Sequence, residues 1–220
     1  MKRIVVISTL LVALAAAGFA HGAISVFKTS FSDRADYRSI EKLSGNAKNC
    51  GRSWREKSSL GVSVRGGKED CALSSPVEGD SKQPDHIVKA IAKVTKRTDR
   101  KVREAAYVGV TVRANRKEGY ELRIFPKTRR WQFLKSGEVL EEDRDKRIEG
   151  LAKKNRLEIS ALGDSVTVKV NGKRLAGIKD KDAEQVGGRK TGVTYGDRKS
   201  SKKAKVKAFF DKLKVQVPTP

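Results

Sequence analysis

The feature that most constrains the fold is a series of short segments in which apolar residues occupy every second position. Residues 107–113 read Tyr-Val-Gly-Val-Thr-Val-Arg, with valines on one face. Residues 119–126 alternate in the same way between a glycine and a proline, and 131–135 form a third run after a basic turn. Alternation with a period of two is typical of strands that bury one face, so these runs predict an antiparallel meander.

The same pattern continues toward the C-terminus. Residues 157–161 and 166–170 alternate on either side of Gly163-Asp164, and Asn171-Gly172 follows. Asn-Gly between alternating segments is a strong hairpin signal because both residues tolerate positive φ. Further strands are predicted at residues 191–195 and within 203–217.

The N-terminal half is less regular. Residues 24–31 and 60–64 are predicted to be strands, whereas residues 34–58 are polar without a clear period and are interpreted as a long surface loop held by Cys50. Residues 86–94 fit either an amphipathic helix or a strand. We favour a strand that forms a hairpin with 107–113.

The first residues have the pattern of a secretory signal peptide. Lys2 and Arg3 precede an uncharged run of 17 residues, Ile4–Ala20. Small residues allow cleavage after Ala20 or Gly22. An uncleaved anchor is the alternative, but the run is shorter than the about 20 residues that span a bilayer. We therefore expect a signal peptide over residues 1–22 and one domain over 23–220, located outside the cell or in a periplasm.

The chain is strongly basic, with a formal charge of +23 that becomes +21 once Lys2 and Arg3 are removed. Such a charge attracts polyanions and says little about the fold. Outside the cytoplasm the polyanions include acidic polysaccharides and cell-envelope polymers. No nucleic-acid recognition motif is present, so nucleic acid is not an expected partner.

Cys50 and Cys71 are the only cysteines. In an oxidising compartment an even number favours a disulfide, which would stabilise the fold by about 3 kcal/mol. Two free thiols, or half of a metal site completed by His21 or His86, are the weaker alternatives.

The order of the segments at 107–113, 119–124, 131–133, 155–157, 168–172 and 192–193 resembles the concanavalin A-like jelly-roll superfamily. It is most similar to the laminin G-like and 3-keto-disaccharide-hydrolase-like domains of secreted bacterial proteins. The resemblance covers residues 105–217 best. It implies an all-β jelly-roll sandwich of two antiparallel sheets, with a concave outer face on which relatives hold oligosaccharides.

This implied face gives the candidate binding residues. If the even-numbered residues of 108–124 face the core, the outward side chains are those of Arg113, Glu121, Arg123 and Phe125. Trp131 and Phe133 share one face of the next run and are either stacking platforms for a sugar or core residues.

Catalytic patterns are weak. Glu141–Asp145 has the acid spacing of jelly-roll glycosidases, which use two carboxylates, but it lacks apolar neighbours and is interpreted as a solvated loop. His86, in Asp85-His86-Ile87, is a poor match to the histidine element of polysaccharide lyases. No Gly-x-Ser-x-Gly motif is present, and we assign no catalytic residue.

A calcium loop is conceivable at Asp180, Asp182 and Glu184, but the intervening lysines and the missing glycine favour a charged connector. Gly187–Lys190 lacks the spacing of a phosphate-binding loop. We therefore expect no cofactor and no metal.

Two basic runs remain, and each could be a solvated face, protection of a strand edge, or an attachment to an acidic glycan. They consist of Lys199, Lys202, Lys203, Lys205 and Lys207, and of Arg97, Arg100, Lys101 and Arg103. The sequence thus predicts a secreted, non-catalytic module for carbohydrate, including acidic glycans, or an envelope-associated protein. A glycoside hydrolase or polysaccharide lyase with unidentified catalytic residues is the alternative, and a structural protein whose charge serves solubility is a third.

Overall fold

A computed structural model of the protein describes residues 23–55, 59–65, 69–78, 85–116, 118–182, 188–198 and 204–219. The expected signal peptide over residues 1–22 lies outside these ranges. In the described residues no helix is long and apolar enough to cross a membrane.

The described chain is almost entirely β. The strands of its first half are β1 Ala23–Thr29, β2 Glu41–Ser44, β3 Cys50–Arg55, β4 Ser59–Arg65, β5 Glu69–Glu78, β6 His86–Val94, β7 Ala106–Ala114 and β8 Tyr120–Phe125. Those of its second half are β9 Arg130–Lys135, β10 Glu138–Arg144, β11 Asn155–Leu162, β12 Ser165–Val170, β13 Lys173–Lys179, β14 Lys190–Asp197 and β15 Lys205–Pro218. A short helix α1, Arg34–Ser39, and a 3₁₀ turn, Arg100–Val102, complete the described elements.

The strands form two antiparallel sheets. Sheet I has the order β13-β12-β11-β6-β15-β4-β3, with β1 also paired to the long β15. Sheet II has the order β10-β9-β8-β7-β14-β5-β2. Consecutive strands often lie in different sheets, as in a jelly roll, and the predicted all-β sandwich is confirmed.

The core lies between the sheets and follows the predicted alternation. Sheet II contributes Val108, Val110 and Val112 from β7, and sheet I contributes the even-numbered residues of β6, such as Val88. Because alternate side chains point to opposite faces, the odd-numbered residues of β8, and those of β7 as far as Thr111, lie on the outer face of sheet II. The same periodicity that builds the core therefore builds the candidate binding surface.

The predicted disulfide is confirmed and joins the two sheets. Cys50 begins β3 in sheet I and Cys71 lies in β5 of sheet II, with Cα atoms 5.8 Å apart. Cys71 is buried in the core. The bond thus clamps one edge of the sandwich.

The Asn171-Gly172 hairpin is also confirmed. Both residues have positive φ, 50° and 83°, and they connect β12 to β13. Asn171 Oδ1 accepts from the Arg156 backbone N at 2.8 Å, which ties the turn to the neighbouring strand β11.

Three predictions were wrong. Residues 34–58 are not a long loop, since α1, β2 and β3 lie within them. β6 is the predicted strand, but it pairs with β11 and β15 rather than with β7, because the connection 95–104 crosses to the other sheet. The acidic segment at Glu141 is not a loop but part of β10, an exposed edge strand of sheet II.

Candidate functional site

The outer face of sheet II is organised in rows that run across the strands. One row consists of Asp70, Gly196, Tyr107, Phe125, Arg130 and Arg144, and the next consists of Ala72, Thr194, Gly109, Arg123, Gln132 and Glu142. Cross-strand partners point to the same side of a sheet. The rows therefore combine small residues on β14 and β7, namely Gly196, Thr194 and Gly109, with charged residues on the neighbouring strands, such as Asp70 and Arg123.

Arg123 is the centre of a polar network on this face. Its Nε and Nη2 donate to the two carboxylate oxygens of Glu121 at 2.6 and 2.7 Å. Its guanidinium lies 4.6 Å from the centroid of the Tyr107 ring, and Nη2 is 3.4 Å from Asp70 Oδ2. Arg123 is only 4% exposed. The side chain is thus held by a bidentate ion pair and a cation–π contact, both of which are strong when partly desolvated.

Asp70 connects this network to the neighbouring strands. Its Oδ1 accepts from the Tyr107 hydroxyl at 2.7 Å, and its Oδ2 accepts from Arg198 Nη1 at 2.9 Å. A Cβ atom at Gly196 would lie 2.6 Å from Tyr107 Oη. The glycine therefore allows the tyrosine to lie across β14 and reach Asp70.

The pKa values of the network follow from this geometry. Burial raises the pKa of Tyr107 well above its ordinary value, and the Glu121 charge adds to the effect. Burial is the largest single influence on the pKa of Arg123 and lowers it, but the charge and hydrogen bond of Glu121, together with Tyr107 and Asp70, outweigh burial and raise the pKa overall. The tyrosine is consequently a neutral hydrogen-bond donor and the arginine a permanent cation.

A groove of about 180 Å³ lies over the network. We call it the sheet II groove. Its lining consists of Leu43, Ser44, Asp70, Ala72, Thr111, Ala114, Asn115, Arg116, Glu118, Gly119, Glu121, Arg123, Ser136, Gly137 and Thr194. Thr194 is 5% exposed, and its hydroxyl has no hydrogen-bond partner among the described residues. Buried hydroxyls are usually satisfied, so the Thr194 oxygen is an unusual unpaired polar atom at the lining of the groove.

Of the predicted site residues, Glu121 and Arg123 lie in the groove. Phe125 is on the outer face as predicted, but it is covered, packed 5.7 Å from the Tyr107 ring and 4.4 Å from the Arg130 guanidinium carbon.

Arg113 was wrongly placed on the outer face. It has φ of 50° next to an irregularity in the pairing of β7 with β14, which turns the side chain toward the end of the sandwich. Its Nη2 donates to Asp85 Oδ1 and to the Gly163 carbonyl, both at 2.9 Å. Arg113 therefore ties sheet II to the start of β6 and the β11–β12 turn of sheet I.

Trp131 and Phe133 are not stacking platforms. They are 3% and 0% exposed and belong to the core between the sheets, opposite Ile124 and Leu122 of β8. The odd-numbered residues of β9 face the core because they pair with the core residues of β8. Of the two alternatives for this aromatic pair, core packing is the correct one.

The remaining chemical candidates have structural partners. His86 is buried at the start of β6. Asp180 Oδ2 accepts from Tyr120 Oη at 2.6 Å and Lys135 Nζ at 2.5 Å, and these donors, the lysine first, lower the pKa of Asp180. The described part of the chain contains no group of three or more potential metal ligands, and Glu184 lies outside it.

The two predicted basic runs are only partly described. Residues 199–203 are outside the described ranges, and Lys205 and Lys207 lie on β15 in sheet I. Arg97, Arg100 and Lys101 are exposed on the crossing between the sheets, where Arg103 donates to the carbonyls of Thr98 and Lys96.

The network residues that sequence reasoning missed are Asp70, Tyr107, Thr194 and Arg198. Tyr107 lies on the face of β7 opposite Val108, Val110 and Val112, so the alternation of apolar residues could have identified it. Asp70 could not be identified in this way, because β5 mixes polar and apolar residues without a clean period.

Solved structures show the same fold. The carbohydrate-binding module CBM66 from Bacillus subtilis superposes with a TM-score of 0.57 at 16% identity, covering 78% of this chain and 91% of that one. A β-glucanase from Bacillus licheniformis gives 0.60 at 12% identity, with 89% and 98% covered. An alginate lyase of polysaccharide lyase family 7 gives 0.56 at 11% identity, with 77% and 84% covered.

No protein-family model and no curated protein matches the chain. The structural neighbours therefore show the fold alone: two antiparallel sheets packed as a jelly-roll sandwich. That fold serves both binding modules and enzymes, so the function must be argued from the site itself.

Proposed function

We propose that the protein is a secreted, non-catalytic carbohydrate-binding module that holds a glycan in the sheet II groove. Envelope association follows if the glycan belongs to a cell surface. The structural neighbours that are carbohydrate-binding modules support this class of ligand, and an inter-sheet disulfide is compatible with an oxidising compartment.

The observation that carries the proposal is the unpartnered Thr194 hydroxyl beside the Glu121–Arg123 pair on the groove floor. Sugars present closely spaced hydroxyls that both donate and accept hydrogen bonds. A fixed carboxylate, a guanidinium and a free hydroxyl offer complementary acceptors and donors without further ordering of long side chains.

The charge around the groove supports an acidic glycan. A second cavity of about 350 Å³ shares Leu43, Ala114, Asn115 and Arg116 with the groove and adds Lys42, Gly188, Arg189 and Lys190. Lys42, Arg116 and Arg189 are exposed. Such a basic border would attract a polyanion, and the attraction would weaken as salt screens it.

The alternative is a glycoside hydrolase or polysaccharide lyase, since neighbours of the same fold include both. Glu121 and Asp70 are both engaged by guanidinium donors. This arrangement favours stationary hydrogen-bond acceptors over carboxyls that exchange protons with a substrate, so it supports binding rather than catalysis.

The test is calorimetric titration of residues 23–220 with neutral and acidic oligosaccharides, with chromatography of the same mixtures for products. Glu121→Gln removes the carboxylate that pairs with Arg123, and we expect the oligosaccharide to bind about tenfold more weakly. Thr194→Val removes only the hydroxyl and should weaken binding several-fold.

Matched controls lie on sheet I. Glu158→Gln breaks ion pairs with Lys89 and Lys169, and Thr167→Val changes an equivalent side chain on β12. Both should leave affinity unchanged. Shortened products would instead establish the enzyme, and absence of binding to every glycan class would overturn both functions.

A further inference from the structure

We propose that an arginine cluster at the edge of sheet II binds an anionic substituent, sulfate or carboxylate, of the bound glycan. The cluster consists of Arg130, Arg144 and Arg198. This inference rests on the proposed function and specifies where the charge of an acidic ligand is recognised.

The three arginines border one cavity of about 370 Å³. Its other lining residues are Glu104, Ala105 and Thr128. Ligand-binding clefts span about 300–1,000 Å³, so the cavity has room for a substituted sugar unit. Three guanidinium groups face Glu104 in the lining, and they remain in excess when Asp70, which pairs with Arg198, is also counted.

The placement of Arg130 opposite Arg144 is unfavourable for stability alone. The two residues are direct cross-strand partners in β9 and β10, so their Cβ atoms are about 4.5–5.5 Å apart on the same face, where like charges destabilise a sheet. In the described part of the chain neither guanidinium forms an ion pair. A bound anion would remove this repulsion.

Arg130 is also pre-positioned. Its guanidinium lies 4.4 Å from the centroid of the Phe125 ring, and its Nε is buried without a hydrogen-bond partner among the described residues. Phe125 in turn packs against Tyr107. Arginine held in a plane is suited to bidentate recognition of carboxylate or sulfate oxygens.

Protection of the sheet edge does not account for the cluster. Charges on the edge strand β10 would serve that purpose, and Arg144 is one of them. Arg130 lies one strand further in, stacked on an aromatic ring, and Arg198 directly follows β14. The cluster draws on two strands and on the residue after a third, as expected for a site.

The cluster is continuous with the sheet II groove. Arg198 donates to Asp70, which also contacts Arg123 of the groove floor. A glycan lying over Tyr107 could therefore occupy the groove with one unit and present an acidic group to the arginines with another. The basic border at Arg116 lies at the opposite end of β7.

The test compares three glycans in calorimetry: a neutral glucan, a polyuronate and a sulfated galactan. Arg144→Gln, on a fully exposed strand, and Arg130→Gln should each weaken binding of the preferred acidic glycan about tenfold while leaving the affinity for the neutral glucan unchanged. Lys173→Gln, the same charge change on sheet I, should have no effect. The acidic glycan that loses affinity identifies sulfate or carboxylate as the group recognised.

Equal affinity of the unmodified protein for acidic and neutral glycans, with no effect of Arg144→Gln, would overturn this inference and leave the proposed function intact. Loss of binding to all three glycans on Arg144→Gln would also overturn it, because the arginine would then act on the whole groove. No binding of any glycan by the unmodified protein would overturn both.

Discussion

The disulfide between Cys50 and Cys71 gives a prediction whose magnitude follows from the topology. It closes a loop with a sequence separation of 21 residues and joins β3 of sheet I to β5 of sheet II. In the chain-entropy model a crosslink of this span stabilises the native state by about 3 kcal/mol, because it restricts the unfolded chain. A domain of this size shifts its Tm by about 2–4 °C per kcal/mol, so we expect a loss of about 6–12 °C.

The perturbation is the double substitution Cys50→Ala with Cys71→Ala, measured by thermal and urea unfolding. Reduction of the unmodified protein under the same conditions is the matched comparison, since it breaks the bond without changing side-chain volume. Both changes should lower the free energy of unfolding by similar amounts. The double variant should be slightly less stable than the reduced protein, because it also removes the buried Cys71 sulfur from the core. Unchanged stability on reduction, or two titratable thiols in the non-reduced protein, would refute the reasoning.

The remaining predictions concern Arg113, Asp180 and Gly196. Arg113→Gln should lower the free energy of unfolding by about 2–4 kcal/mol in urea titrations, because a buried guanidinium bonded to Asp85 and Gly163 is lost; a loss below 0.5 kcal/mol would contradict this role. Asp180→Asn should destabilise by about 1–2 kcal/mol at pH 7. Since the pKa of Asp180 is lowered in the folded protein, its contribution is complete above about pH 4 and is lost as pH falls through the folded value, so the difference between the two proteins in unfolding titrations should shrink below pH 4. A difference that grows on acidification would refute this assignment. A Cβ at Gly196 would clash with the Glu69 carbonyl oxygen and lie 2.6 Å from Tyr107 Oη, so Gly196→Ala should displace both the strand β5 and the Tyr107 ring and weaken glycan binding several-fold. Gly150→Ala, with open space around its Cβ, should not; equal affinities for these two variants in calorimetry would contradict the role of Gly196.

The strands of sheet II could be predicted because their alternation is strict. Val108, Val110 and Val112 mark the core face of β7, and Asn171-Gly172 requires the turn that is observed. Strand partners were harder, since a connection such as 95–104 fits a hairpin or a crossing between sheets equally well. Only the observed pairing of β6 with β15 in sheet I distinguishes the crossing from the hairpin.

The candidate site was predictable only in part. Phase alone placed Glu121 and Arg123 on the outer face, but the positive φ of Arg113 reversed its direction, and no pattern in the sequence reports such a local irregularity. Trp131 and Phe133 show the converse difficulty, because an aromatic pair on one face fits a core and a sugar platform alike. Asp70 joins the network from a strand distant in sequence, which is visible only in three dimensions.

The central claim is that the sheet II groove binds a glycan through the Glu121–Arg123 pair and the Thr194 hydroxyl. The most direct measurement is the affinity of residues 23–220 and of Thr194→Val for the best-bound oligosaccharide, with Thr167→Val as control. We expect several-fold weaker binding for the groove variant and none of that loss for the control. Equal affinities for all three proteins would contradict the assignment of the groove.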